Sequence, residues 1–222
     1  MLFFFINIVV FANTDSTQTP SKEKFQIIID PGHGGNDIGA SNHQTKESVL
    51  VLSIAKKIES IIQKNEPQIL VTLTRKNNSY LSLANRLKNE PADLFLSLHA
   101  NSSISSKVEG LEIYLQTEQK TKSTNDHKST VESIVQDLES VGKTRYSLQF
   151  SKQLHKNWLH SPAVIRRSPF FVLEKTKFPS VLIEIGFLTN INEAKKLATD
   201  EYQNLIAETI VKTIADYKKS IE

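Results

Sequence analysis

Short β-branched and aliphatic runs alternate with amphipathic stretches from residue 25 to residue 219, and no other feature constrains the fold as tightly. FQIII (25–29), QILVTLT (68–74), DLFLSL (93–98), GLEIYL (110–115), PFFVLEK (169–175) and SVLIEIGF (180–187) are apolar runs of strand length, and each predicts a strand. Between Glu47 and Gln63, the residues Val49, Leu50, Leu52, Ile54, Ala55, Ile58, Ile61 and Ile62 recur at helical spacing. Further helices are predicted over 79–90 with Ser79 as its N-cap, and over 131–141, 147–159, 190–198 and 201–219. Strands that are apolar on both faces and separated by helices imply one α/β domain. Its sheet is mostly parallel or mixed, with helices on both faces.

Three segments stand outside that rhythm. MLFFFINIVVFA is an apolar run of 12 residues followed by polar sequence. A membrane span needs roughly 20 residues, so no span is expected. The run reads instead as a signal-peptide core with cleavage after Ala12, which implies export. It lacks a basic n-region, the first basic residue being Lys22, and an apolar N-terminal strand is the competing reading. Residues 13–24 read as a polar linker, which leaves 25–220 as the folded domain. Residues 116–130 (QTEQKTKSTNDHKST) contain no large apolar side chain and begin an exposed insertion that extends to about residue 146.

The chain of 222 residues has no cysteine, so thiolate metal sites and disulfides are both excluded. Any metal must be held by His, Asp or Glu. A net charge of +3 gives no argument for nucleic acid.

DPGHGGNDIGA (30–40) has the look of a phosphate loop placed after a strand. It lacks a lysine and matches neither the G-x-x-x-x-G-K-[ST] nor the G-x-G-x-x-G pattern. Its His33 follows one predicted strand and His99 follows another, at the sheet edge where ligands bind in open α/β folds. Glu47 opens the first helix, and Glu184 lies inside an apolar strand, where a carboxylate needs a partner or a metal. Each has an ordinary reading. His33 could be a loop histidine and His99 a strand cap. Glu47 could be a favourable first-turn charge, and Glu184 could pair with Arg75, Arg86 or Arg166. Their shared topological position favours one site. Two imidazoles and a carboxylate form a catalytic-type zinc set, and a second carboxylate can move protons.

IIIDPGHGGNDIGA, Glu47, LTR (73–75), ANR (84–86), DLFLSLHANSS (93–103), GLEIYL and VLIEIGFLTN (181–190) together resemble the zinc-dependent N-acetylmuramoyl-L-alanine amidases with the amidase-3 catalytic domain. The resemblance runs in order from about residue 25 to 219. It implies one Zn2+ on His33, Glu47 and His99, with Glu184 as the catalytic residue. The implied reaction cuts the amide between N-acetylmuramic acid and the L-alanine of the peptidoglycan stem, in the periplasm or outside the cell. Asn101, Arg166 and Arg167 fall where the family pattern suggests substrate contacts. Some relatives carry an insertion that covers the site until a protein activator removes it. Here residues 116–146 correspond, and Glu132 or Glu139 would supply the blocking carboxylate. A hydrolase of the same fold acting on another amide, or a non-catalytic wall-binding module, are the alternatives.

Overall fold

A computed structural model describes residues 24–42, 44–88, 91–117 and 131–222. The expected leader (1–12), the linker up to residue 23, residues 118–130 of the insertion and the side chain of Glu132 lie outside the described residues. In chain order the elements are β1 (Phe25–Pro31), α1 (Glu47–Asn65), β2 (Ile69–Leu73), α2 (Leu83–Arg86), β3 (Leu94–Asn101), β4 (Leu111–Leu115), α3 (Val131–Asn157), β5 (Ala163–Arg167), α4 (Phe171–Lys175), β6 (Ser180–Phe187), α5 (Ile191–Leu197) and α6 (Asp200–Ile221). The strands form one mixed sheet in the order β2-β1-β3-β6-β4-β5. β1, β2, β3 and β6 run parallel; β4 runs antiparallel to β6 and parallel to β5.

Strand alternation divides the sheet into two unlike faces. Ile27 and Ile29, Leu94, Leu96 and Leu98, and Ile183 and Ile185 point to one face, where they pack into a single buried cluster with α1, α3 and α6. The helical stripes that meet them include Ile54 and Ile58, Phe150 and Leu154, and Ile210 and Ile214. The intervening residues point the other way. Ile28, Phe95 and Leu182 pack beneath Val172 and Leu173 of α4 in a much smaller cluster. On this second face the cover is only α2, α4 and their loops, and here the strands carry Asp30, Ser97, Glu112 and Glu184 as buried polar residues.

Four local expectations are corrected. The helix expected over 79–90 shrinks to the four residues of α2. Ser82, not Ser79, caps it by accepting from Asn85 N, while Ser79 Oγ donates to Asn77 Oδ1 and Gly35 N donates to Asn78 O. A tertiary bond to the glycine loop and a local side-chain turn therefore hold 77–79 out of the helix, against local helix preference. The two helices expected at 131–141 and 147–159 are one continuous α3. Lys143 is buried, and its Nζ donates to Leu173 O and Thr176 O, so the polar stretch expected to break the helix is anchored instead. Residues 169–175, expected as a strand, contain α4; a short apolar run behind a proline fits either state. AVIRR, for which no strand was expected, is edge strand β5.

Candidate metal centre

The loop after β1 owes its shape to backbone that few residues adopt. His33 has φ +56°, the only non-glycine among the described residues with positive φ, and Gly34, Gly35 and Gly39 are also positive. The turn is gripped from below by two buried guanidinium groups. Arg75 donates from Nε to Pro31 O and from Nη2 to Gly32 O and Ser48 O. Arg86 donates from Nη1 to Pro31 O and Asp30 Oδ1, and from Nη2 to His33 O. Asp30 is itself held by Thr74 Oγ1 and Ser97 Oγ. The carbonyls of Pro31, Gly32 and His33 are thus satisfied by arginines.

His33, Glu47 and His99 converge above this scaffold, each offering one donor atom within 4.8 Å of the others. Glu47 is the hub. Its Oε1 lies 3.2 Å from His33 Nε2 and 2.9 Å from His99 Nδ1, and accepts from Ala100 N at 3.0 Å. Its Oε2 accepts from Ala40 N at 2.7 Å. Asp37 Oδ1 sits 2.8 Å from His33 Nδ1, which leaves Nε2 to face inward. Burial alone would raise the Glu47 carboxyl, but bonds and charge from His33 and His99 overcome it and hold it down at about 2. His33 is raised, first by its bond to Glu47 and against the opposing effect of burial.

Two nitrogens and a carboxylate oxygen, with His33 backed by Asp37 and Glu47 by Ala40 N and Ala100 N, fit a divalent cation of the zinc type. The surroundings fit as well. A Cβ on Gly32 would strike the His99 ring, and one on Gly39 would strike Glu47 Oε2 and His33 Cδ2. Both glycines keep room for the ligands.

Glu184 stands beside this group, since β6 pairs with β3 so that Glu184 faces His99, just before a register shift. Its Oε2 is buried and has no hydrogen-bond partner among the described residues. Burial, aided by the charges of Glu47 and Glu112 and opposed by those of the histidines, pushes this carboxyl up to about 7. It opens on a cavity of about 200 Å³ that His33 and His99 also line, with Tyr80, Leu83 and Phe171 at its apolar side. None of the three arginines weighed as partners in the sequence takes that part. Arg75 and Arg86 hold the loop, and Arg166 donates from Nε to Glu112 Oε1.

The remaining candidates separate by strand alternation. Asn101 shares the face of His99 and Glu184, and its Nδ2 donates to Glu112 Oε2. Arg166 lies on that face too, through Glu112. Arg167, the next residue along the strand, instead donates to Gln116 O. Glu139 is exposed on α3, one turn before Lys143. That part of α3 meets the sheet where β6 begins, through Ser147 Oγ and Ser180 N, and the structure does not bring Glu139 to the three donors. Asp37 and Glu112 are the site residues that the sequence did not single out. Asp37 is one turn of the loop from His33. Glu112 becomes visible only once β4 is laid antiparallel to β6, which sets it opposite Glu184.

Comparison with known proteins places the chain as a whole. A family model described as N-acetylmuramoyl-L-alanine amidase (Amidase_3) matches residues 27–216. A putative N-acetylmuramoyl-L-alanine amidase of Buchnera aphidicola subsp. Acyrthosiphon pisum is 33% identical, covering 88% of this chain and 95% of that protein. The amidase AmiC of Escherichia coli is 30% identical over 86% of this chain, which spans about half (52%) of that relative's length. Among solved structures, the catalytic domain of CwlV from Bacillus (Paenibacillus) polymyxa var. colistinus superposes with a TM-score of 0.66 at 31% identity, covering 88% of this chain and 98% of that one.

Proposed function

The chain belongs to the amidase-3 family of N-acetylmuramoyl-L-alanine amidases, and from that premise we propose that it hydrolyses the amide between the lactyl group of N-acetylmuramic acid and the L-alanine of the peptidoglycan stem. The observation that carries the reading is the juxtaposition of the His33–Glu47–His99 donor set with the buried carboxyl of Glu184 on the strand beside His99, whose Oε2 has no hydrogen-bond partner among the described residues.

His33, Glu47 and His99 would hold one zinc ion. With both imidazoles neutral and one carboxylate ligand, a bound ion keeps a net positive charge; it would polarise the scissile carbonyl and acidify water. The chain's own groups do the rest. Glu184 takes the proton of the attacking water and delivers it to the amide nitrogen as the C–N bond breaks, so that a carboxylic acid and an amine result. Its apolar surroundings favour that exchange, because a carboxyl raised to about 7 can both accept and release a proton near neutrality. Asp37 fixes the His33 tautomer, and Ala40 N and Ala100 N fix the Glu47 rotamer.

Peptidoglycan lies outside the cytoplasmic membrane, so the apolar run at residues 1–12 acts as an export leader cleaved after Ala12. No helix among the described residues is long and apolar enough to cross a membrane.

The test is chemical. Protein incubated with intact peptidoglycan should release peptides that begin with L-alanine, identified by mass. A strong chelator should stop the release, and added zinc should restore it. Cleaved glycan strands, or cuts within the peptide, would sink the proposal.

A further inference from the structure

A polar cluster on the site face takes no part in the mechanism above. Glu112 of β4 is nearly buried and accepts three bonds, from Asn101 Nδ2 at 2.9 Å, Tyr114 Oη at 2.7 Å and Arg166 Nε at 2.8 Å. The first two engage Oε2 and the third Oε1. The arrangement fastens Arg166 by its inner nitrogen only. Its side chain remains 52% exposed, and among the described residues its Nη1 and Nη2 have no partner. Tyr114 is held protonated as a donor, by burial first and then by its bond to Glu112. An arginine anchored at Nε by a buried carboxylate presents its outer fork in a fixed orientation, which suits a planar anion such as a carboxylate.

Position says whose carboxylate it is. Glu184 must face the leaving nitrogen, so the peptide half of the substrate lies on Glu184's side of the metal donors. β5 is two strands from β6, which is about 10 Å at the usual strand spacing. An extended peptide advances about 3.5 Å per residue. Arg166 stands level with Tyr114 and Leu182, two residues along the strands from Glu184, so a chain leaving Glu184 across β4 would carry the branch carboxylate of its second residue toward the Arg166 fork.

Resting on the amidase reading, we infer that Arg166, oriented by Glu112, is a specificity residue that binds the free carboxylate on the second residue of the stem peptide. In peptidoglycan that residue is D-glutamate, or D-isoglutamine where the carboxylate is amidated, so the site would discriminate between the two.

Two disaccharide pentapeptides that differ only in D-glutamate or D-isoglutamine at that position test this with the full, zinc-loaded chain. Release of the L-alanine-terminated peptide is the readout. Charge-assisted bonds to an arginine fork correspond to about a ten- to hundredfold preference, so the wild type should favour the acid by at least tenfold in kcat/KM, chiefly through KM. In Arg166→Gln the ratio between the two probes should fall to within about twofold of one. In Arg166→Lys, which keeps the charge and loses the fork, it should fall between these limits. Glu112→Gln should lower the ratio while Arg166 is still present. A wild type that cuts both probes alike, or an Arg166→Gln protein that keeps the preference, overturns the assignment and leaves the amidase reading standing. A wild type that cuts neither at the muramoyl–alanine bond sinks both.

Discussion

The two faces of the sheet are built from alternate residues of the same strands, yet they obey different rules. On one face Ile27, Leu96 and Ile183 meet three long helices and leave no exposed polar side chain among them. On the other, Asp30, Ser97, Glu112 and Glu184 occupy the equivalent positions and are covered by helices of four and five residues. A one-residue shift in any strand would exchange the two sets. The first face supplies the burial that holds the fold, and this allows the second to bury Glu184 Oε2 with no hydrogen-bond partner among the described residues.

That contrast can be broken in order of expected effect. Glu184→Gln should cost turnover on peptidoglycan about 10²–10⁴-fold while metal content, read by elemental analysis, stays at wild-type level; retained turnover would remove Glu184 from its role. Ile54→Ala, on the helical face, should lose about 2–5 kcal/mol in urea unfolding and leave turnover per folded molecule close to wild type. A large loss of turnover with no loss of stability would mean that the faces are not separable in this way. Gly39→Ala places a Cβ against Glu47 and His33 at a backbone φ of +67°. Zinc affinity should fall about 10–100-fold, the range for disturbed ligand support, as measured by competition with a chromogenic chelator.

The smallest effect is at the point where the faces are tied together. Lys143, on α3, reaches round to the carbonyls of Leu173 and Thr176 at the end of α4. Burial lowers its ammonium to about 8, below the ordinary 10.5. The unfolded chain therefore holds a proton that the folded chain has released between these values. The Lys143 contribution to stability should be full above about 10.5 and lost as pH falls through about 8. Chemical denaturation of wild type and Lys143→Met across that window should show the wild type gaining relative to the variant as pH rises. A pH-independent difference would place the lysine in solvent.

What the sequence disclosed follows the same division. β1, β3, β6 and α1 were legible because burial on both sides, or along one helical stripe, leaves continuous or periodic apolar residues. His33, His99 and Glu184 could be grouped because the first follows such a strand and the other two lie on such strands. The site face is harder to read. α4 was mistaken for a strand because the four apolar residues at 170–173 carry no period, and α2 was overextended because the bond of Asn78 O to Gly35 N, far off in the chain, leaves no local mark. β5 escaped because its outward positions are Val164 and two arginines. Glu112 looked like the polar half of an alternating strand; its importance comes from a neighbour 72 positions away, in a pairing whose direction no local pattern fixes.

β5 also ends the sheet. Its outer side pairs with no other strand among the described residues, and such an edge invites another copy to add a strand. The strand is five residues long and closes on Arg166 and Arg167. Two adjacent positive charges on so short an edge set like against like when two copies approach side by side. The residue inferred to select the substrate therefore also helps to keep the protein from stacking into fibres, so a variant made to relax specificity at Arg166 should be watched for aggregation as well as for activity.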